Sequence, residues 1–138
     1  MRRSTFEMMV SARSGHIGGS FSSADILVAL YYGGVLAHDP ENPAWGGRDR
    51  LIVSKGHSSL SLYPILADRG YFPLSYLEGF VAEGSILAGH PDTRIPGIET
   101  VTGSLGHGLG IGAGMALGLR RWAGNSGIYV LLGDGETQ

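Results

Sequence analysis

Four of the five histidines in this 138-residue chain, His16, His57, His90 and His107, directly follow a glycine. Each Gly-His step falls in an expected loop or at the end of an expected element. One such histidine is more often structural than catalytic. Four of them, in a chain that also carries Gly133-Asp134-Gly135, point toward a shared site, because neutral imidazoles shuttle protons near pH 7 and hydrogen-bond phosphate or sugar hydroxyls. A lone carboxylate between two glycines suits a hard cation such as Mg²⁺, which binds through one or two carboxylates plus substrate phosphates. Taken alone, Gly-Asp-Gly also reads as a plain Asx-type turn after a strand.

The elements that must position these residues follow from apolar runs and breakers. Ile128 to Leu132 is an uninterrupted apolar run ending in Gly133, which predicts a buried strand with Asp134 at its carboxyl end, where open α/β sheets bind ligands. Arg50 to Ser54 is a second strand candidate that runs into the polar triplet Lys55-Gly56-His57. A first helix is expected over residues 4–13 with Phe6, Met9 and Val10 on one face, closed by Ser14-Gly15. Ser14 to Ser20 reads as a loop too rich in glycine for helix, so a second helix is expected from a cap at Ser22 or Ser23, with Ile26, Leu27, Leu30 and Tyr31 inward and Gly33-Gly34 as the stop. Ala37 to Gly47 reads as a surface loop with a solvated His38. Ser58 to Arg69 reads as a helix in which Pro64 either makes a kink or marks the true first turn, and Leu74 to Val81 as a shorter one. Gly84 to Thr102 is a long loop of the kind that often carries function.

Gly103 to Ala123 is expected to be a buried helix of a kind suited to a subunit interface, although the five glycines between 108 and 118 each cost up to ~1 kcal/mol relative to alanine. Gly110, Gly114 and Gly118 form one stripe that lets another backbone approach closely. Gly108-Leu109-Gly110-Ile111-Gly112-Ala113 also matches a dinucleotide-binding fingerprint, with Asp134 about 20 residues on. That motif must open directly after a strand, and residues 96–105 have only scattered apolar positions, so the match is set aside.

Composition bounds the chain to one domain with a single core. Hydrophobic residues make up 43% and charged residues 16%, below the ~25% charge usual for soluble domains, which hints at surface covered by a partner. A net charge of −2 with scattered arginine pairs gives no footprint for nucleic acid. The absence of cysteine excludes disulfides and thiolate chemistry and fits a cytoplasmic setting. Ser4, Thr5 and Glu7 interrupt the apolar run that a signal peptide needs, and the uncharged run Leu105 to Leu119 is too short to span a bilayer, so no membrane role is expected.

Five stretches, in order along the chain, together resemble the transketolases, thiamine-diphosphate enzymes, and most of all the amino-terminal subunit of their split form. They are Ser14-Gly15-His16-Ile17-Gly18-Gly19, Arg48-Asp49-Arg50 leading to Ser54-Lys55-Gly56-His57, Gly89-His90-Pro91-Asp92, Gly103-Ser104-Leu105-Gly106, and Gly133-Asp134-Gly135-Glu136. The related deoxyxylulose-phosphate synthases share the Gly-Asp-Gly turn but differ at the first and second histidine motifs. The resemblance implies an α/β, parallel-sheet thiamine-diphosphate-binding fold, here as its amino-terminal portion only. Residues 1–138 would form the diphosphate side, with the pyrimidine-side domain absent.

The resemblance also implies roles. His16 and His90 would be catalytic, His16 moving protons between cofactor and substrate carbonyl and His90 binding a hydroxyl of the donor ketose. His57 would hydrogen-bond the diphosphate, Gly103 offer backbone, Leu105 pack on the cofactor's rings, and the Gly135 N–H meet a phosphate oxygen. Asp134 would ligate Mg²⁺. His107 stands where many members carry glutamine and is assigned only a supporting hydrogen bond. The implied reaction moves a two-carbon ketol unit from a ketose or its phosphate to an aldose or its phosphate. The implied assembly is a homodimer or a heterotetramer with a carboxy-terminal subunit or section. The asparagine that completes the family's metal site, roughly thirty residues past Gly-Asp-Gly, falls beyond Gln138. The 138 residues alone are therefore expected to bind cofactor weakly and catalyse nothing. The competing expectation is a non-catalytic piece that only packs against a partner.

Overall fold

The computed structural model describes residues 1–122 and 126–138. Its order is α1 (Arg2–Ala12), α2 (Ile17–Tyr32), β1 (Arg50–Val53), α3 (Ser59–Asp68), α4 (His107–Trp122) and β2 (Ile128–Leu131), with 3₁₀ turns at Gly56–Ser58, Leu74–Gly79 and Asp134–Thr137. β1 and β2 pair in parallel, Arg50 opposite Ile128 through Val53 opposite Leu131. The ladder is extended at both ends, by Arg50 N–H donating to Gly127 O and Ser54 N–H to Leu131 O, each at 2.9 Å. Parallel neighbours need a long crossover, and α3, the loops after it and α4 supply it. Both polar stretches, Lys55–His57 and Gly133–Gly135, therefore leave the sheet at the same edge.

The core is built on α3. Every residue from Ser59 to Ala67 is buried, and Leu60, Tyr63, Ile65 and Leu66 pack with Leu27 and Tyr31 of α2, Met8 of α1, Leu51 and Val53 of β1, and Phe72, Phe80, Leu87 and Ile95 of the loops. Pro64 stands inside α3 and does not open it. An interior proline costs ~3 kcal/mol or more through the lost hydrogen bond and ring clash, so a helix buried on all sides is where it can be offset.

Several expectations change. α2 begins at Ile17, not at Ser22 or Ser23, and takes Gly18 and Gly19 into its first turn. The reason is close approach, since a Cβ on Gly19 would lie 2.9 Å from Ser58 Oγ and 3.0 Å from His57 Nε2. Ser22 and Ser23 do not cap, and both hydroxyls donate back to Gly19 O at 2.9 Å. On α1 the buried residues are Thr5 and Met8, whereas Phe6 and Val10 are 51% and 53% exposed. Thr5 tolerates burial because its hydroxyl donates to Met1 O. His38 is not a solvated side chain: it stacks on Tyr71, packs edge-on against Tyr31, and its ring nitrogens meet Tyr71 Oη and Tyr31 O.

The largest revision concerns α4. It starts at His107, four residues after Gly103, and its expected end at Ala123 lies outside the described residues. It is not buried within this chain. Gly108 and Gly112 face the sheet, where a Cβ on Gly112 would come 2.5 Å from Val130 Cγ2, but Gly110, Gly114 and Gly118 face open space and Leu109 and Leu117 are exposed. The Gly108–Ala113 fingerprint lies inside this helix after an irregular stretch, not behind a strand, as the dinucleotide motif would require. Among the described residues no helix is long and apolar enough to cross a membrane.

Candidate functional site

A cleft of about 360 Å³ opens at the carboxyl ends of β1 and β2, lined among others by Gly19, Lys55, His57, Leu105, Asp134 and Gly135. Each lining group arrives for a local reason. β1 ends in Ser54-Lys55, and the 3₁₀ turn at Gly56 directs His57 away from the core. Gly56 itself is required, because a Cβ there would lie 2.5 Å from Thr102 O. β2 ends in Gly133, and the next 3₁₀ turn presents Asp134 and Gly135. α2 meets the cleft through Gly18, Gly19 and Ser22.

The histidines converge as their spacing suggested. The His16 and His57 rings sit edge to face with centroids 5.4 Å apart. His90 packs against Gly103, where a Cβ would lie 3.2 Å from His90 Cδ2, and of these three histidines only His57 lines the cleft itself. Burial holds the His57 pKa below the ordinary imidazole value, and the neighbouring His16, Lys55 and His90 lower it further against the opposing pull of Glu136. At neutral pH His57 is thus a neutral imidazole, with one N–H to donate and one nitrogen to accept. His107, the first residue of α4, is exposed, and its side chain makes no hydrogen bond among the described residues.

Two further groups went unassigned at the sequence level. Lys55 is 9% exposed, and its ammonium donates to Ser22 Oγ at 3.0 Å and Gly19 O at 3.3 Å, which aims it along the floor of the cleft and leaves one N–H over. Glu136 closes the wall beside Gly133, accepting that residue's N–H at 2.7 Å. Both lie inside stretches singled out by motif. For Lys55 the available signal was its place in a polar triplet at a strand's carboxyl end, and for Glu136 its spacing three residues after the strand-ending glycine.

The donor set has a definite chemistry. A lysine and a neutral imidazole line the cleft beside Gly18 and Gly135, where a Cβ would meet nothing within 4 Å. Asp134 is exposed, and its carboxylate has no hydrogen-bond or ion-pair partner among the described residues. Leu105, 57% exposed, forms an apolar lip. Donors for an anion, one free carboxylate for a hard cation and one apolar surface together fit a phosphorylated ligand with an apolar body, accompanied by a divalent metal. Among the described residues no cluster of three or more metal-binding side chains exists, so such a metal would take most of its oxygens from the ligand and water.

Comparison with known proteins identifies the family. Residues 1–138 match the family model for the transketolase thiamine diphosphate binding domain. The 6-deoxy-6-sulfo-D-fructose transketolase subunit of Clostridium sp. (strain MSTE9) is 42% identical over 138 residues, 99% of this chain and 50% of that protein. An apulose-4-phosphate transketolase subunit of Phocaeicola vulgatus is 41% identical over 135 residues, 98% of this chain and 48% of its own. The chain thus spans about half the length of the curated relatives it matches. Among solved structures, the transketolase of Campylobacter jejuni superposes with a TM-score of 0.89 at 38% identity, over 99% of this chain and 23% of that one.

Proposed function

Because the chain belongs to the transketolase family and matches its thiamine diphosphate binding domain, we propose that the cleft holds the diphosphate of thiamine diphosphate together with Mg²⁺. The protein it serves transfers a two-carbon ketol unit from a ketose or ketose phosphate to an aldose or aldose phosphate. The observation that carries the reading is the meeting of His57, Leu105, Asp134 and Gly135 on one cleft at the carboxyl ends of two parallel strands, with the His16 ring packed on that of His57. Bound thiamine diphosphate supplies the carbanion-stabilising chemistry by which a carbon–carbon bond is broken and remade.

The chain's own residues bind and orient. Lys55 sets a positive field along the cleft floor, and His57 donates to a phosphate oxygen as a neutral imidazole. Gly135 offers its N–H where no side chain intervenes, and Asp134 gives the metal its one protein carboxylate. Leu105 and the backbone at Gly103 cover the ligand's apolar middle. His16, close to His57, moves a proton at the substrate carbonyl, and His90 binds a donor hydroxyl. On this reading residues 1–138 are the diphosphate side, and a carboxy-terminal subunit or section supplies the pyrimidine side, in a homodimer or a heterotetramer. Two named relatives being subunits, each about twice as long as the match, supports this.

The test uses the full-length protein mixed with its carboxy-terminal partner and assayed for ketol transfer. His57→Ala and Asp134→Ala are each expected to lower transfer at least 100-fold, and Asp134→Ala to raise the Mg²⁺ needed for cofactor binding in a calorimetric titration. Transfer and binding unchanged in both variants would overturn the assignment.

A further inference from the structure

Among the described residues, Glu136 is the lining residue with an ionisable side chain that the proposed function leaves without a task. It puts a carboxylate into the wall of a cleft whose other polar groups suit an anion. Both of its oxygens are occupied. Oε1 accepts the Ser54 hydroxyl at 2.6 Å and the Gly106 N–H at 3.0 Å, and Oε2 accepts the Gly133 N–H at 2.7 Å. Ser54, fully buried, accepts in turn from the Gly108 N–H at 3.1 Å.

These donors come from three segments far apart in sequence. Ser54 ends β1 and precedes Lys55 and His57. Gly106 and Gly108 join the Gly103–Leu105 loop to α4. Gly133 opens the turn that bears Asp134 and Gly135. We propose that Glu136 is the positioning residue of the cleft, a clip that fixes these three segments relative to one another, and that it is not a second metal ligand. The proposal rests on the reading that the cleft holds the cofactor's diphosphate.

Two observations support the clip. Three donors already take three of the roughly four acceptor sites of the Glu136 carboxylate, whereas the Asp134 carboxylate has none of its sites taken by a described residue. The backbone is shaped for the contacts: Gly106 sits at φ +81, a left-handed turn that favours glycine, and Gly108 brings its N–H to Ser54 only because it lacks a Cβ, which would overlap the serine side chain. Charge-assisted bonds of this kind are about twice as strong as neutral ones.

The experiment compares wild-type protein, in its full-length form with partner, to Glu136→Ala, Glu136→Gln, Ser54→Ala and the Ser54→Ala/Glu136→Ala double variant. Hydrogen exchange is followed in the cofactor-free protein, and affinity for thiamine diphosphate is measured calorimetrically across a range of Mg²⁺. For Glu136→Ala we expect faster exchange in peptides covering Gly103–Gly108 and Gly133, and at least tenfold weaker cofactor binding that saturating Mg²⁺ does not restore. Glu136→Gln keeps an acceptor for Ser54 and Gly106 but loses the one for Gly133, so it should fall between wild type and alanine. The double variant should bind within twofold of Glu136→Ala, because both changes open one clip. Binding restored by Mg²⁺ with unchanged exchange would make Glu136 a metal ligand and overturn the proposal. Faster exchange with unchanged affinity would overturn it as well, leaving a purely structural bond. Failure of the wild type to bind thiamine diphosphate would instead refute the reading of the cleft, and exchange in the cofactor-free protein would still decide whether Glu136 holds the segments.

Discussion

α3, packed on α1 and α2, and α4, packed on the two strands, have opposite fates. α3 buries every residue from Ser59 to Ala67 against helices and loops of its own chain. α4 touches the sheet through Gly108 and Gly112 and turns Leu109, Leu117, Gly110, Gly114 and Gly118 outward. A helix with this many glycines has poor intrinsic propensity, since each loses backbone entropy for no side-chain contact. The difference teaches that α3 is complete within this chain, whereas α4 keeps an apolar, small-residue face whose burial has to come from elsewhere, as the proposed assembly would provide. The candidate site lies between the two, with His57 just ahead of α3 and Leu105 just ahead of α4.

Truncation should break this symmetry most visibly. Leu66→Ala in α3 is expected to cost about 2–5 kcal/mol of stability, because the side chain is fully buried among residues that relax only partly. Leu117→Ala, at a position 68% exposed, is expected to stay within about 0.5 kcal/mol and to act instead on assembly. Urea denaturation and sedimentation of both variants decide the matter, and comparable losses of stability would mean that α4 is not an open face. Within α4 the two glycine rows should separate next. Gly112→Ala forces a methyl group toward Val130 and should destabilise by about 1–3 kcal/mol. Gly114→Ala meets open space and should raise the stability of the unassembled chain by up to ~1 kcal/mol. If Gly114→Ala also weakens assembly, the outward row is the contact surface. If it stabilises with assembly unchanged, that row is free.

How far the sequence could be read follows the same division. Both strands were legible as apolar runs bounded by glycine or a polar triplet, and their parallel pairing followed from the family resemblance, but β2 is half-buried throughout where a buried strand was expected. The place of His57 and Asp134 followed from those strands alone. The start of α2 was not legible: local propensity makes Gly18-Gly19 a loop, and only contact with Ser58 and His57, far along the chain, makes glycine the residue that fits a helix there. On α1, Phe6 and Val10 looked inward by type, yet Thr5 and Met8 hold the buried side, since a satisfied hydroxyl removes the penalty that made Thr5 seem a surface residue. His38 was missed because its aromatic partners, Tyr31 and Tyr71, come from other segments. Glu136 could be seen at its spacing from Gly133, but its bond to Ser54 spans 82 residues and no local pattern announces it.

The smallest expected effect concerns pH and sets the buried core against the cleft. In the core, burial first, with Asp92 adding to it and the Ser59 bond opposing it, pushes the Tyr63 hydroxyl up to about 12, so it stays neutral across the range in which proteins are usually handled. The cleft does titrate. His57 has a folded-state pKa lowered from 6.5, by burial and then by its neighbours His16, Lys55 and His90. Between its two values the unfolded chain binds more protons than the folded one, so stability is full above about pH 6.5 and declines as pH falls toward and through the folded value. The slope cannot exceed that of one proton. Glu136, also lowered, keeps its contribution above the ordinary carboxylate range and loses it at lower pH, as does Asp92, whose pKa is lowered by its bonds from Arg94. The two windows are therefore separate, the imidazole step lying just below neutrality and the carboxylate step in acid. Urea unfolding at stepped pH should show both. His57→Gln should flatten only the first, and Glu136→Gln should reduce the second while leaving the Asp92 share. A near-neutral slope that survives His57→Gln would show that the burial and neighbouring charges ascribed to this histidine do not govern its protonation.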